Sequence, residues 1–374
     1  MTTTKNNEHK KLNFSSEREQ SQACLNSAEH EKNQGRKVLN VPNLRFKEFQ
    51  GEWEESKLGD VATSISSGKS KASCGNYNLY GSTGVIGKTC EAFYEGQMLL
   101  IARVGANAGK LQIINEKCGI TDNTLIVKTE RIPATYIYYY LQHFNLNRLI
   151  FGSGQPLITG GMLKKVMIPL GNDAEQNKIT NLLSLIDVHI ATQSKVINRL
   201  QSLIKGIANK SFHVARETKP LLEFAPNITS GNDKNGSGTI PLYGSTGIIG
   251  MVKNASQKGN IVLVARVGTI GTVQFVNEPC GVSDNALIIK AGDMTKYIYY
   301  FLKTYNFARI TSGTTQPLIT ASSLKKIAVP IFDIERSSNI VRCLSGLEKK
   351  LNIEKRYLLD MVMIKQYLLR QMFI

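Results

Sequence analysis

Two kinds of apolar and polar alternation divide this chain. Between residues 78 and 128, short runs of Leu, Ile and Val are punctuated by Gly, Asn and Ser, as NLYGSTG, QMLLIARVG, KLQIINE and NTLIVK. Runs this short between turn-forming residues predict strands joined by tight turns. From Ala134, ATYIYYYLQHFNLNRLI has the length and spacing of a helix. Its tyrosines recur at helical steps, so they are expected to pack rather than to stack on bases. The predicted unit is therefore mixed α/β. Ahead of it, from Pro42 onward, Phe46, Phe49, Trp53, Leu58, Val61 and Ile65 are expected core anchors, with the single tryptophan packed.

The second pattern is longer and has a different period. From Ile179, apolar residues fall at steps of four and three: Ile179, Leu183, Ile186, Ile190, then Gln193, then Ile197, Leu200, Ile204 and Ile207. Near the C-terminus Ile340, Leu344, Leu347, Leu351, then Glu354, then Leu358, Met361, Lys365 and Leu368 repeat it. Each is a heptad seam with one polar layer. Antiparallel pairing brings Gln193 to Glu354 midway along both helices, where an amide donates to a carboxylate. Parallel pairing would also match them but would strain the short connection from Lys210 to Pro220, because a whole globular unit lies between the helices. The expectation is an antiparallel coiled coil with Gln193 and Glu354 setting its register. A helix of about 36 residues spans roughly 54 Å.

The chain is also a duplication. YGSTGVIGK at Tyr80 returns as YGSTGIIGM at Tyr243, LLIARVGANAGK at Leu99 as LVARVGTIGT at Leu263, and CGITDNTLIVK at Cys118 as CGVSDNALIIK at Cys280. QPLIT at Gln155 returns at Gln316, and LKK at Leu163 returns at Leu324. The offset falls from 163 residues at Tyr80 and Tyr243 to 161 at Gln155 and Gln316, so two small deletions separate parallel copies. A period this long excludes a solenoid, whose repeats run roughly 20 to 50 residues. The predicted organisation is a polar, disordered tail over 1–41, a first α/β domain over 42–172, a helix over 173–212, a second α/β domain over 213–332 and a helix over 333–374.

Charge narrows the class of partner. Across 374 residues, 46 Lys and Arg stand against 29 Asp and Glu, a net charge of +17. Such an excess suits a polyanion, nucleic acid before an anionic membrane surface. No apolar window approaches the roughly 18 to 20 residues of a membrane span, and the N-terminus has no hydrophobic signal core. Six cysteines, at 24, 74, 90, 118, 280 and 343, include no CxxC pair. They read as reduced thiols of a cytoplasmic protein.

Catalytic motifs fail on inspection. GSTGVIGKT has five residues between Gly81 and Gly87 where a P-loop has four, and Met251 replaces Lys88 in the second copy. FGSGQP at Phe151 hints at a methyltransferase glycine loop, but it follows a predicted helix, and its counterpart SGTTQP lacks the second glycine. No Asn-Pro-Pro-Tyr or Asp-Pro-Pro-Tyr tract is present to hold a target adenine, so chemistry on a flipped base would fall to another subunit. The five histidines are scattered, and Asp122 and Asp284, each beside an Asn, suit turns better than a nuclease.

Taken together, the YGSTG-VIG, ARVG and QPLIT-x4-LKK-x3-P tracts, twice in order and each time followed by a heptad helix, resemble the specificity subunits of type I restriction-modification enzymes. The resemblance runs from about Pro42 to the C-terminus. It implies a non-catalytic, cytoplasmic subunit whose two globular domains each read one half of a bipartite double-stranded DNA target. It implies that the helices space the domains and dock two methyltransferase subunits, with restriction and motor subunits joining them. S-adenosylmethionine, ATP and Mg are then cofactors of those partners in an adenine-N6 methyltransferase and ATP-dependent endonuclease, with none in this chain and no membrane involved. Two major-groove readers sit about one turn, roughly 34 Å, apart, a distance the helices can bridge.

Duplication also sorts candidate DNA contacts. SGKSKASCGNYNLY from Ser67 faces SGNDKNGSGTIPLY from Ser230. Where the copies differ, at Lys69 and Asn232, Ser70 and Asp233, Ala72 and Asn235, and Asn76 and Thr239, base readout is expected, although any surface loop varies. Shared residues suit phosphate contacts: Lys71 and Lys234, Arg103 and Arg266, Ser82 and Thr83, and Ser245 and Thr246. Tyr80 and Tyr243, Asn123 and Asn285, and Gln155 and Gln316 either contact DNA or close turns. Domains this similar predict related half-sites in inverted orientation. Leu185 and Val188 lie outside the seam and are candidates for partner docking. The competing reading is a free-standing duplicated DNA-binding protein or regulator.

Overall fold

The computed structural model describes residues 40–150, 156–312 and 317–374. Gln155, Gln316 and nearly all of the expected tail lie outside the described residues. Chain packing divides into two units. The first holds the described residues up to Leu185 together with Lys365–Ile374, and the second holds Ile186–Ile364. Each long helix thus contributes to both units instead of forming a segment apart.

In the first unit, β1 (Glu54–Lys57), α1 (Leu58–Val61), β2 (Ser64–Ser67), β3 (Tyr77–Gly81) and β4 (Gly84–Thr89) lead to β5 (Gln97–Ala102), β6 (Leu111–Asn115), β7 (Gly119–Ile120) and β8 (Thr124–Lys128). After α2 (Ala134–Phe144) come α3 (Gly160–Lys164), β9 (Met167–Leu170) and α4 (Asp173–His213). One sheet runs β2-β8-β5-β6, all antiparallel, and a smaller one runs β4-β3-β7 with β3 parallel to β7. The third pairing is β1 with β9.

β5 explains the layering. Successive strand residues point to opposite faces, and in QMLLIA all but the glutamine are buried. Leu99 and Ile101 join Leu125, Val127 and the α2 residues Tyr136, Ile137 and Leu141 in one core. Met98 and Leu100 join Ile114, Cys118, Ile120 and Ile126 in a second core on the other face. A continuous apolar run is what a strand buried on both faces requires, each such Leu or Ile contributing about 1.5 to 3 kcal/mol.

The second unit repeats this plan. It contains β10 (Glu217–Pro220), α5 (Leu221–Phe224), β11 (Thr229–Ser230), β12 (Ile240–Tyr243), β13 (Ile248–Val252), β14 (Ile261–Ala265), β15 (Val273–Val276), β16 (Gly281–Val282) and β17 (Ala286–Ile289). There follow α6 (Thr295–Leu302), α7 (Ala321–Lys325), β18 (Ala328–Ile331) and α8 (Ile334–Met372). The sheets are β11-β17-β14-β15 and β13-β12-β16, with β10 paired to β18. β14 splits its side chains as β5 does: Val262 and Val264 face one core, Ile261 and Leu263 the other.

The helical tyrosines pack, as their spacing predicts. Tyr136 and Tyr297 are buried and donate to the carbonyls of Pro169 and Pro330, each at 2.8 Å. Tyr139 and Tyr300 reach Ser184 at 3.2 Å and Ser345 at 3.0 Å, tying each globular core to a long helix. Both long helices start alike. Asn172 accepts from the Glu175 backbone N–H at 2.9 Å, and Asp333 accepts from that of Arg336 at 2.6 Å, satisfying donors that a helix start leaves open.

α4 and α8 run antiparallel. Ile179 and Leu183 share a core with Leu369 and Met372, whereas Ile197 and Ile204 share one with Leu344 and Leu351. Between these ends the Gln193 amide donates to the Glu354 carboxylate at 2.5 Å and to its backbone carbonyl at 3.2 Å. The polar layer sits where the two seams place it. A single such pair fixes register because a slip of one heptad would leave both groups facing apolar side chains.

Cys118 and Cys280 are fully buried, and burial pushes both thiols up to about 11, with Glu116 and Glu278 adding to the shift. At neutral pH they are protonated and poorly reactive. Among the described residues no helix is long and apolar enough to cross a membrane.

Candidate nucleic-acid interface

In each unit the shared tracts converge at one end. The β3–β4 hairpin turns through Ser82 and Thr83, with Gly84 at φ +114°. The ITDN loop is fastened to this hairpin by the Thr121 N–H donating to the Tyr80 carbonyl at 2.9 Å. The same loop is fastened to the ARVG loop by the Arg103 N–H donating to the Asn123 carbonyl at 2.9 Å. Ser283 to Tyr243 at 2.9 Å and Arg266 to Asn285 at 3.0 Å repeat both links. The Gln274 amide holds the second turn through the carbonyls of Gly244 and Ser245, at 2.9 and 3.2 Å. Ser82, Thr83, Arg103 and Asn123 are thus brought together, as are Ser245, Thr246, Arg266 and Asn285.

The two arginines carry the clearest electrostatic signal. Both are half-buried, and the Nε of each is enclosed without a hydrogen-bond partner among the described residues. Neither has a carboxylate partner there. A half-buried arginine whose enclosed Nε has no partner among the described residues leaves its guanidinium open to an external anion. Lys69 and Asn232 are exposed beside the loops that carry Asn123 and Asn285, themselves exposed, and Lys71 and Lys234 are exposed two residues further on. Asn76 is exposed at the opposite end of the β3–β4 hairpin, next to the Tyr77–Thr89 pair.

Other candidates turn out to hold the framework. Ser70 is 3% exposed and cannot present its hydroxyl to a groove. Asp233 stands at the equivalent position, and its Oδ2 accepts from the Val282 N–H at 2.7 Å and from the Ser256 hydroxyl. Asn235, although exposed, accepts from the Met251 N–H at 3.0 Å and so ties its loop to β13. Short polar side chains in loops bond nearby backbone readily, and here they make part of the expected reading surface structural. Of the polar positions that differ between the copies, Lys69, Asn76 and Asn232 are exposed.

Tyr80 and Tyr243 also act within the framework. Their hydroxyls donate to Glu116 and, at 2.6 Å, to Glu278. Burial first and the carboxylate second push both up to about 12, so each remains a donor at neutral pH. The two glutamates are not among the residues the sequence singles out, although INEKCG and VNEPCG carry the same Glu ahead of the buried Cys in both copies. In the first unit Asn78 extends the pair, donating to Glu116 at 3.1 Å and accepting from Lys88 at 2.9 Å.

Among the described residues no three His, Cys, Asp or Glu side chains are grouped to hold a metal. On the helices, Leu185 and Val188 are exposed, as are Leu203, Leu359 and Ile364. Leu182 and Leu369, also outside the seam, belong instead to the first unit's core.

A sequence profile described as the type I restriction modification DNA specificity domain matches residues 50–202 and again 217–360. A Haemophilus influenzae protein named as a type I restriction enzyme specificity subunit is 26% identical over 143 residues, 35% of this chain and 37% of that one. The EcoprrI specificity subunit of Escherichia coli is 26% identical over 155 residues, 38% of each chain. The matches therefore span less than two-fifths of these relatives. Among solved structures, the S subunit of a type I restriction-modification system from M. genitalium superposes with a TM-score of 0.69 at 17% identity, covering 89% of this chain and 99% of that one. A chain from a study of type I R-M assembly and conformational transition gives 0.53 at 13% identity, covering 87% and 98%. At these identities the likeness is one of fold.

Proposed function

The chain belongs to the type I restriction modification DNA specificity family, and on that premise we propose that it is the sequence-specificity subunit of a type I restriction-modification complex. Each globular core then reads one half of a split duplex target. One observation carries the reading: two units of identical strand order present the same arginine and hydroxyl turn beside loops that differ at Lys69 and Asn232. The shared groups hold phosphates and set position, while the differing ones tell the half-sites apart.

The long helices act as the spacer, with Gln193 and Glu354 holding its register. Methylation of adenine N6 belongs to two methyltransferase subunits, and ATP-driven cleavage belongs to restriction subunits. S-adenosylmethionine, ATP and Mg therefore act in those partners, and this chain supplies the address. The complex works on DNA in the cytoplasm.

Methylated bases mapped genome-wide, in cells carrying this chain with a candidate type I methyltransferase and in cells lacking only this chain, test the proposal. The expected result is a split motif with adenine methylated in both halves that vanishes with the chain. An unchanged map, from a methyltransferase active with another specificity subunit, would sink the proposal in favour of a free-standing DNA-binding protein.

Partner docking has its own test. Leu185 and Val188 project from α4 into solvent, so Leu185→Asp with Val188→Asp leaves both cores intact. Co-purification of the methyltransferase should fall at least about tenfold, as for loss of a central apolar contact. Undiminished assembly places the docking face elsewhere.

A further inference from the structure

Both units expose an aliphatic pair that the proposed contacts leave unused. At the tip of the β3–β4 hairpin Val85 is 52% and Ile86 54% exposed. At the tip of β12–β13 Ile248 is 56% and Ile249 49% exposed. In each hairpin a β-bulge falls at the second member of the pair, since Tyr80 pairs with Val85 but Leu79 with Gly87, and Tyr243 with Ile248 but Leu242 with Gly250. The bulge breaks the usual alternation of sides, and both members reach solvent. The tips are also pre-set. A Cβ on Gly81 would stand 2.9 Å from the Ile86 Cδ1, and one on Gly244 would stand 2.9 Å from the Ile249 Cδ1. Each isoleucine therefore lies back over a glycine that admits it, held in place while still facing solvent.

Exposed aliphatics next to a strand edge invite aggregation and are ordinarily avoided. Here they recur at equivalent positions of both copies, next to the hydroxyl turns and in the same loop cluster as Arg103 and Arg266, which have no carboxylate partner among the described residues. Two or three side chains are far too small a patch for a stable protein interface, which needs roughly 800 Å² per partner. They match the size of the apolar wedges that enter between base steps from the minor groove, where surrounding cations hold the phosphates. Aliphatic character kept in both copies, Val85–Ile86 and Ile248–Ile249, suits a contact that carries no sequence information.

From this geometry we infer that Val85–Ile86 and Ile248–Ile249 are apolar wedges that press into the DNA and partly unstack a base step in each half-site. The inference rests on the DNA-reading function above. It adds a role for each tip: lowering the cost of drawing the target adenine out of the stack, which a partner enzyme must do before it can act on the base.

The test uses the full chain in complex with its methyltransferase, on the duplex defined by the methylation map, with 2-aminopurine replacing bases in turn across each half-site. Wild type should raise 2-aminopurine fluorescence at one step per half. V85T/I86T and I248T/I249T, which keep strand-favouring side chains, should each abolish the rise in their own half. They should also weaken binding about tenfold, with the slope of affinity against salt unchanged because no phosphate contact is lost. R103Q/R266Q should instead make that slope shallower. Fluorescence and affinity like wild type in the threonine variants overturn the wedge, as does loss of the methyltransferase from them with DNA response intact. A wild-type complex that prefers the mapped duplex no more than a scrambled one overturns the underlying reading as well.

Discussion

Phe373→Ala should unfold the first unit well ahead of the second. Phe373 is the penultimate residue, yet it is 2% exposed, with its ring edge-on to Tyr136 at 5.4 Å and to Tyr140 at 5.8 Å. Loss of a fully packed Phe costs about 3 to 5 kcal/mol, because the lost apolar contact and the cavity left behind add together. That approaches the whole stability of many domains, about 5 to 15 kcal/mol. Burial also holds the His143 imidazole, 6.0 Å from the Phe373 ring, below its ordinary value. Opening the site to water should move it back up.

Hydrogen exchange is the direct measurement. β5 and α2 should lose protection while β14 and α6 keep theirs. Phe212→Ala should reverse the pattern, because Phe212 packs against Tyr297 at 5.3 Å and Phe301 at 5.6 Å in the second unit. Equal loss in both units from either variant would show that the two cores do not open separately.

Glu175→Ala should cost the first unit about 3 kcal/mol. The Glu175 side chain is completely buried and accepts from Arg45 Nε at 2.7 Å, Arg45 Nη2 at 2.8 Å and Trp53 Nε1 at 3.0 Å. Removing one partner of a buried pair costs about 3 to 5 kcal/mol. The lower end applies here, since the Arg45 side chain is 16% exposed and keeps the Gly51 carbonyl at 2.6 Å.

Trp53 is the only tryptophan, so its fluorescence during urea unfolding reports this site alone. The midpoint should fall and native emission should shift to the red. Arg45→Met combined with Glu175→Leu should recover most of the loss, because an apolar replacement leaves no charge without a mate. A change below about 1 kcal/mol for Glu175→Ala would mean that water already reaches the pair.

The duplication, the mixed α/β character of each unit, the two seams and the meeting of Gln193 with Glu354 were all legible in the sequence. The physical reason is that periodicity is local. Strand runs, helical steps and heptads are written within a few residues, and a repeated tract reports its own counterpart. Tyr136 and Tyr297 could be assigned to packing on spacing alone.

Tertiary structure decided what depended on partners distant in the chain. Nothing near Glu175 announces Arg45, 130 residues away, or Trp53, 122 away, and nothing in the last helix says that Phe373 completes the first core. Around Ser70, Asp233 and Asn235 the sequence shows polar loop residues that differ between copies, which is how a reading surface looks. Only the folded loop shows one of them buried and the other two bonded to the backbone at Val282 and Met251. A side chain's identity states which bonds it can make. The fold decides which of them are already made, and so which groups remain free to meet DNA.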